Sequence, residues 1–372
     1  MAEDAHPEHW SDYTNLQHVK HELIREYLNG WFPKLGLWSG RVYYFDTHAG
    51  RGKYASGEAG SPVVAIDTLL RHSFRDRILK TSEVHFFFIE DDVKNVEALR
   101  GEVASLGQLP KRVHVHFSCD DCFPKLEDLL TSLLSHGKDL PPAFVFVDPY
   151  SFKVPGDIIR RLLSAGRVEV FINVIWMELD MAIAQARDKV DGGMVEMLNA
   201  VFGGEQQWRA IAAEASIDSR ADQTIDLLRN LYGARWATSI RMLGDNQVTR
   251  YVLAHFTNHE AGRDLMKDCM WAVCPDGGFY ARRSDNPKQT MLIEVEPNLA
   301  PLEEWLNNQL EREPLRWSIL SGRIRNELWR NVHLSQVIRK RRREGAIIAS
   351  GFTGRFSENA DPLLSLPVKE GD

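Results

Sequence analysis

Hydrophobic and polar residues change their period several times along the chain, and those changes divide it into segments. In residues 14–30 the apolar positions Leu16, Val19, Leu23, Ile24 and Tyr27 recur at helical spacing, and Gly30 stands where a C-terminal cap would. From Arg41 the period shortens. Residues 41–46, 84–90, 112–117, 143–148 and 168–177 are short β-rich runs, separated by helical patterns at 63–70, 93–105, 125–134 and 156–164. Ser61-Pro62 suits the N-cap and first turn of the first of these helices. Near-continuous apolar strands alternating with helices mark a parallel sheet covered on both faces.

Residues 178–232 lose the β signal and read as a helical insertion, broken at Gly192-Gly193 and Gly203-Gly204. Two later β runs, 235–243 and 250–256, bring the strand count to seven, and a helix follows at 263–273. The expected fold class is therefore α/β: a Rossmann-like sheet of seven strands, mostly parallel. Beyond residue 300 the order changes to helices at 301–311, 317–332 and 334–344, then a strand, tight turn and strand within 346–356. That is the order of a winged helix-turn-helix. The expected domains are a helical segment at 1–40, an α/β domain at 41–290 carrying the insertion, a winged helix at 300–358 and a loose tail at 359–372.

Length and composition agree with two soluble domains, or one large domain with an appendage: 372 residues, 44% hydrophobic and 26% charged. The net charge of −7 on its own disfavours a nucleic-acid partner, but it is a sum of unlike parts. Residues 315–345 hold nine Lys/Arg and two acids, leaving 36 basic and 50 acidic residues elsewhere. Contact with a polyanion is thus expected on the C-terminal module, and at most the rim of a cleft besides. On the helix at 334–344, Leu334, Val337 and Ile338 form an apolar stripe. Arg339, Lys340, Arg342 and Arg343 lie mostly off it, where they could meet phosphates, as could Arg355 on the wing.

The four cysteines form no disulfide framework. Cys119 and Cys122 have metal-ligand spacing, but Cys269 and Cys274 do not complete a second such pair, so all four read as structural and no metal is expected. The N-terminus does not have the pattern of a secretory signal, and the longest apolar runs fall well short of the ~20 residues of a membrane span. A cytoplasmic protein with no membrane partner is the expectation.

The residues suited to chemistry lie at strand ends, where open α/β sheets bind ligands. Asp46-Thr47-His48-Ala49-Gly50-Arg51-Gly52 is a glycine-rich loop after the first strand. Residues 50–55 fit the loose G-x-G-x-x-A pattern, yet the next strand-end acid, Glu90, follows Gly50 by 40 residues. A dinucleotide site places its ribose-binding acid at about 20. No phosphate-binding P-loop motif is present. S-adenosylmethionine has no phosphate to cradle, and its cationic sulfonium tolerates a carboxylate such as Asp46. Glu90 could accept from both ribose hydroxyls, while Asp91 or Asp92 could cap the next helix. Asp121, chosen over Asp120, could accept from an adenine amino group. Asp148-Pro149-Tyr150-Ser151-Phe152 is similar to the D-P-P-Y loop of amino-methylating enzymes, with one proline missing. In such a loop the carboxylate and a backbone carbonyl orient a target amine and aromatic rings stack on the base, which gives Asp148, Pro149, Tyr150 and Phe152 those roles.

Taken in order, these segments resemble a known family. FDTHAGRGKYASGEAGSPVVAI resembles the D-x-F-A-G-x-G-R-Y…G-S-P-L-x-A segment of the three-Cys-motif partner proteins, bacterial proteins regarded as class I methyltransferase-like. KHELIREYLNGWFPKLG, FFFIEDD, FVFVDPYSF and HFTNHEAGRDLMKDCMWAVCPDGG are similar to further family segments, across roughly residues 14–290. The chain differs at His48, where the family often has Phe, and at Asp148–Ser151, where it often has D-P-F-G. The resemblance implies S-adenosylmethionine bound by the 46–52 loop, Glu90 and Asp121, with Asp148 near the transferred group. It also implies a C-terminal winged helix and a separate partner protein bearing three cysteines. Two functions follow as expectations: a methyltransferase acting on nucleic acid or a nucleic-acid-bound target, or an inactive methyltransferase-like scaffold that recruits a partner to DNA.

Overall fold

The computed structural model describes residues 15–135, 139–243, 248–274, 280–281 and 297–367. The first fourteen residues, the end of the expected α/β domain at 282–290 and the last five residues of the expected tail lie outside them. The described residues divide into two compact units, one of 15–273 with 280–281, the other of 274 and 297–367.

In the first unit the elements run α1 (Asn15–Gly36), β1 (Arg41–Asp46), α2 (Ser61–Arg71), α3 (Arg75–Thr81), β2 (Glu83–Glu90), α4 (Val93–Ser105), β3 (Val113–Cys119), α5 (Cys122–Leu134), β4 (Leu140–Val147), α6 (Gly156–Leu163) and β5 (Gly166–Val174). They continue with α7 (Trp176–Ala186), α8 (Gly193–Phe202), α9 (Glu205–Arg209), α10 (Ile217–Tyr232), β6 (Trp236–Leu243), β7 (Thr249–Thr257), α11 (Glu260–Val273) and β8 (Tyr280–Ala281). The sheet order is β3-β2-β1-β4-β5-β7-β6-β8. Strands β1 to β5 pair in parallel, and β7 lies antiparallel between β5 and β6. The seven expected strands are all present; the eighth is a two-residue strand on the β6 edge, too short to leave a period in the sequence.

The central strands are apolar because both faces are covered: β4 and β5 bury nearly every position. The edge strand β3 is half open to solvent, which is why polar residues interrupt it. Helix α1 runs past Gly30 to Gly36. Gly30 is not its cap. A Cβ there would come within 2.5 Å of the Leu265 side chain on α11, so the glycine lets two helices approach closely. Residues 176–177, read from sequence as strand, begin α7 instead.

The second unit contains α12 (Ala300–Leu310), β9 (Leu315–Arg316), α13 (Trp317–Ile324), α14 (Asn331–Arg343), β10 (Ile348–Ser350) and β11 (Leu363–Ser365). Its three strands form an antiparallel sheet ordered β10-β11-β9. Three sequence expectations change here. The helix anticipated over 317–332 stops at Ile324, and turn bonds from Asn326 N–H to Arg323 and from Glu327 N–H to Ile324 close it. The second strand of the hairpin is not within 346–356, where Gly351 and Gly354 take positive φ and the chain continues as a loop. It is β11, inside the segment read as tail. Leu364 is fully buried, and Asp361 accepts from Ser318 N–H at 2.8 Å, capping α13 across the fold.

Candidate functional site

In the order β3-β2-β1-β4-β5 the chain leaves β1 in one direction and β4 in the other, so the carboxyl ends of β1 and β4 flank a crevice. The loops after those strands face it, and two neighbouring lobes occupy it. One, of about 180 Å³, is lined by Thr47, His48, Glu90, Asp121, Phe123 and Tyr150 among others. The other, of about 250 Å³, is lined by Lys20, His48, Ser61, Asp148, Tyr150 and Tyr251 among others. His48, Pro149 and Tyr150 line both and divide them. Together the lobes have the size of a small-molecule site, ~300–1,000 Å³.

Glu90 ends β2 and is buried. Its Oε2 accepts from Gly50 N–H at 2.7 Å, and its Oε1 from Asn95 Nδ2 and Asp92 N–H, both at 3.2 Å. Burial raises its pKa, while these donors favour the ionised form. The carboxylate thus ties the β1 loop to the start of α4 and still faces the first lobe. Asp91 lines that lobe, and Asp92 caps α4 by accepting from Lys94 N–H at 2.7 Å. Asp121, at the N-cap of α5, reaches the lobe, whereas Asp120 pairs with Lys125 at 3.1 Å.

Of the glycine loop, His48 and Ala49 line the crevice, but Gly50 and Gly52 do not. Both glycines have positive φ, of 61° and 82°. A Cβ on Gly52 would come within 2.7 Å of Leu99, and Gly60 N–H closes the loop onto Gly52 O at 2.8 Å. These glycines let the loop turn. His48 Nε2 lies 3.2 Å from Cys122 Sγ. Burial lowers the His48 pKa to about 4 and pushes the Cys122 thiol up to about 12, so both are neutral at pH 7.

Asp46 is fully buried beneath the loop, with Tyr44 OH at 3.5 Å and His48 N–H at 3.4 Å. Burial raises its pKa to about 7, with Asp148 adding to the shift. The folded protein therefore keeps a proton on Asp46 between about pH 4 and 7 that the unfolded chain has released. Asp46 costs the fold stability as pH rises across that window, by ~4 kcal/mol in all. Chemical denaturation of wild type and Asp46→Asn at several pH values should show wild type losing stability relative to the variant from about pH 4 to 7. Parallel profiles would refute it.

Asp148 follows β4, and here the structure departs most from the sequence reading. Its carboxylate is already engaged: the Lys20 ammonium on α1 donates to Oδ2, and Asn173 Nδ2 on β5 donates to Oδ1 at 2.7 Å. Burial opposes the charge on Lys20, but the Asp148 carboxylate more than offsets it, and the Lys20 pKa is raised. Pro149 and the half-exposed Tyr150 line the crevice as expected for them. Phe152 does not; it packs on the hydrophobic core under β4 and β5. Sequence reasoning missed Lys20, Asn173 and Tyr251. Lys20 stands 128 positions from Asp148, and nothing in a helical period announces such a pairing.

In the second unit Leu334, Val337 and Ile338 are buried and Arg339, Arg342, Arg343 and Arg355 exposed. Lys340 is held by Glu303 at 2.6 Å, Arg342 stacks on Phe352, and Arg355 lies on the loop between β10 and β11.

No family model matches the chain, and no curated protein matches it. Solved structures similar to it include a SAM-dependent methyltransferase from Agrobacterium tumefaciens, at 10% identity and a TM-score of 0.34 over 66% of this chain and 62% of that one. The match thus spans less than two thirds of that enzyme's length. The SAH-bound methyltransferase PaMTH1 of Podospora anserina is similar at 10% identity and a TM-score of 0.28, over 59% of this chain and 72% of that one. The StiE O-MT segment 942–1257 follows at 11% and 0.23, over 61% and 71%.

Proposed function

We propose that this protein is an S-adenosylmethionine-dependent methyltransferase of class I type, acting on nucleic acid or a nucleic-acid-bound target. The observation that carries the reading is the convergence of Glu90, Asp121 and the loops after β1 and β4 on one crevice at the switch point of the sheet. Glu90 takes the ribose hydroxyls, Asp121 the adenine amino group, and the Asp46 region lies near the sulfonium. The acceptor enters the second lobe. Its nucleophile bonds to the methyl carbon as the carbon–sulfur bond breaks, S-adenosylhomocysteine leaves, and the acceptor releases a proton to solvent. The protein contributes positioning and exclusion of water, so no strong base is required. Isothermal titration with S-adenosylhomocysteine tests the reading, and absence of binding ends it.

The engagement of Asp148 by Lys20 and Asn173 favours a second reading, in which the chain keeps the adenosyl site and serves as a scaffold for a partner protein, such as a three-Cys-motif protein. Binding of the adenosyl ligand without methyl transfer to any nucleic acid would select it.

Both readings use the second unit as a winged helix on nucleic acid, with α14 against the phosphates. Charge reversal at Arg342 and Arg343 is expected to weaken duplex binding at least tenfold. It should also lower the slope of log affinity against log salt by about 2. Unchanged affinity and slope in a fluorescence-anisotropy titration would remove α14 from the interface.

A further inference from the structure

The amino ends of β2 and β3, at the far end of these strands from Glu90, hold a cluster that the crevice does not use. Glu83 and His85 are two apart on β2 and so share a face, and parallel register sets His114 of β3 beside His85. Tyr43, Phe45, Phe87 and Ile89 continue the same side of the sheet as buried core. Imidazoles that extend an apolar row need partners, yet His85 Nε2 and His114 Nε2 are both shielded from solvent with no hydrogen-bond partner among the described residues. His85 Nε2 lies 3.6 Å from Glu83 Oε2, beyond hydrogen-bond length. Ligand atoms of Glu83, His85 and His114 all lie within 4.8 Å of one another. Around a tetrahedral zinc with ~2.1 Å bonds, ligand atoms stand ~3.4 Å apart, so a small inward movement of the side chains closes the set.

We propose that Glu83, His85 and His114 form a zinc site that clamps the edge strand β3 to β2. Two imidazole nitrogens and one carboxylate oxygen suit zinc, with water in the fourth position. The ring of His85 is already oriented: its Nδ1 lies 3.1 Å from His116 Nε2. With His85 Nδ1–H donating to His116, the lone pair on His85 Nε2 faces the metal, the outer support that zinc-binding histidines ordinarily receive. Tyr43 packs edge-on against the same ring at 5.4 Å.

The test uses the full chain after removal of metal with a chelator, titrated calorimetrically with zinc chloride. One zinc per chain is expected. His85→Ala and His114→Ala should each weaken it by at least ~100-fold, and His116→Ala, which removes only the orienting partner, by ~10-fold. Changing His6 and His9 together should leave affinity intact. Cobalt(II) added in place of zinc should give the intense visible absorption of a four-coordinate centre. Should a variant fail to fold, long-range proton–nitrogen spectra of the wild type decide: zinc must shift the ring nitrogens of His85 and His114. No binding, binding that survives loss of both histidines, or unshifted ring resonances overturns the site.

Discussion

Replacing Glu90 by glutamine is expected to weaken S-adenosylhomocysteine binding by roughly 30- to 100-fold, ~2–3 kcal/mol. The change is nearly isosteric, so no cavity forms, and the loss comes from hydrogen-bond polarity alone. Both ribose hydroxyls are donors, and a carboxylate accepts both. A glutamine has one acceptor oxygen and an NH₂ that must face some neighbour. In this structure three donors already hold that carboxylate: Gly50 N–H on one oxygen, Asp92 N–H and Asn95 Nδ2 on the other. Whichever way the amide turns, one donor meets another, and the β1 loop loses its tie to α4. Calorimetry with the natural ligand and with an analogue lacking the ribose hydroxyls separates the two effects. The variant should lose much less toward the analogue, and equal losses would show that Glu90 serves only the loop.

The parts of this fold that were legible in the sequence are those set by local period. Strands covered on both faces write apolar runs, and β1, β2, β4 and β5 were readable because burial keeps most of their positions apolar. The polar ends of those runs fell in the crevice for a topological reason: parallel strands all present their carboxyl ends on one side. What could not be read depends on partners distant in sequence. Gly30 looks like a cap until Leu265 is seen against it. Residues 361–365 look like a tail, because two glycine kinks separate β11 from its hairpin partner and the strand is three residues long. Phe152 has the composition of a stacking residue and the position of a core one. Lys20 lies on the polar side of an amphipathic helix, where solvent exposure is the ordinary expectation, and only the tertiary fold buries it against Asp148.

That last pairing changes what a mutation at Asp148 can mean. The side chains of Lys20 and Asp148 are 5% and 16% exposed, so each charge depends on the other for compensation. Breaking a buried pair by removing one partner costs ~3–5 kcal/mol, because the remaining charge stays desolvated. Lys20→Met and Asp148→Asn are each expected to lower unfolding free energy by about that amount in urea denaturation. The double variant, with neither charge left, should be destabilised by much less than the sum. A coupling energy of ~2–3 kcal/mol is expected, and additive losses would show that the pair is not energetically linked. The double variant also isolates chemistry from folding. Glu90 and Asp121 lie in the other lobe and are untouched, so it should bind S-adenosylhomocysteine with wild-type affinity. If Asp148 orients the methyl acceptor, the same folded, ligand-binding protein transfers no methyl group. If it transfers normally, Asp148 and Lys20 are a structural tie between α1 and β4, and the acceptor is oriented by other residues of the second lobe. Loss of activity in a single Asp148 variant could not distinguish these cases, because the unpaired Lys20 ammonium would already be disturbing the site.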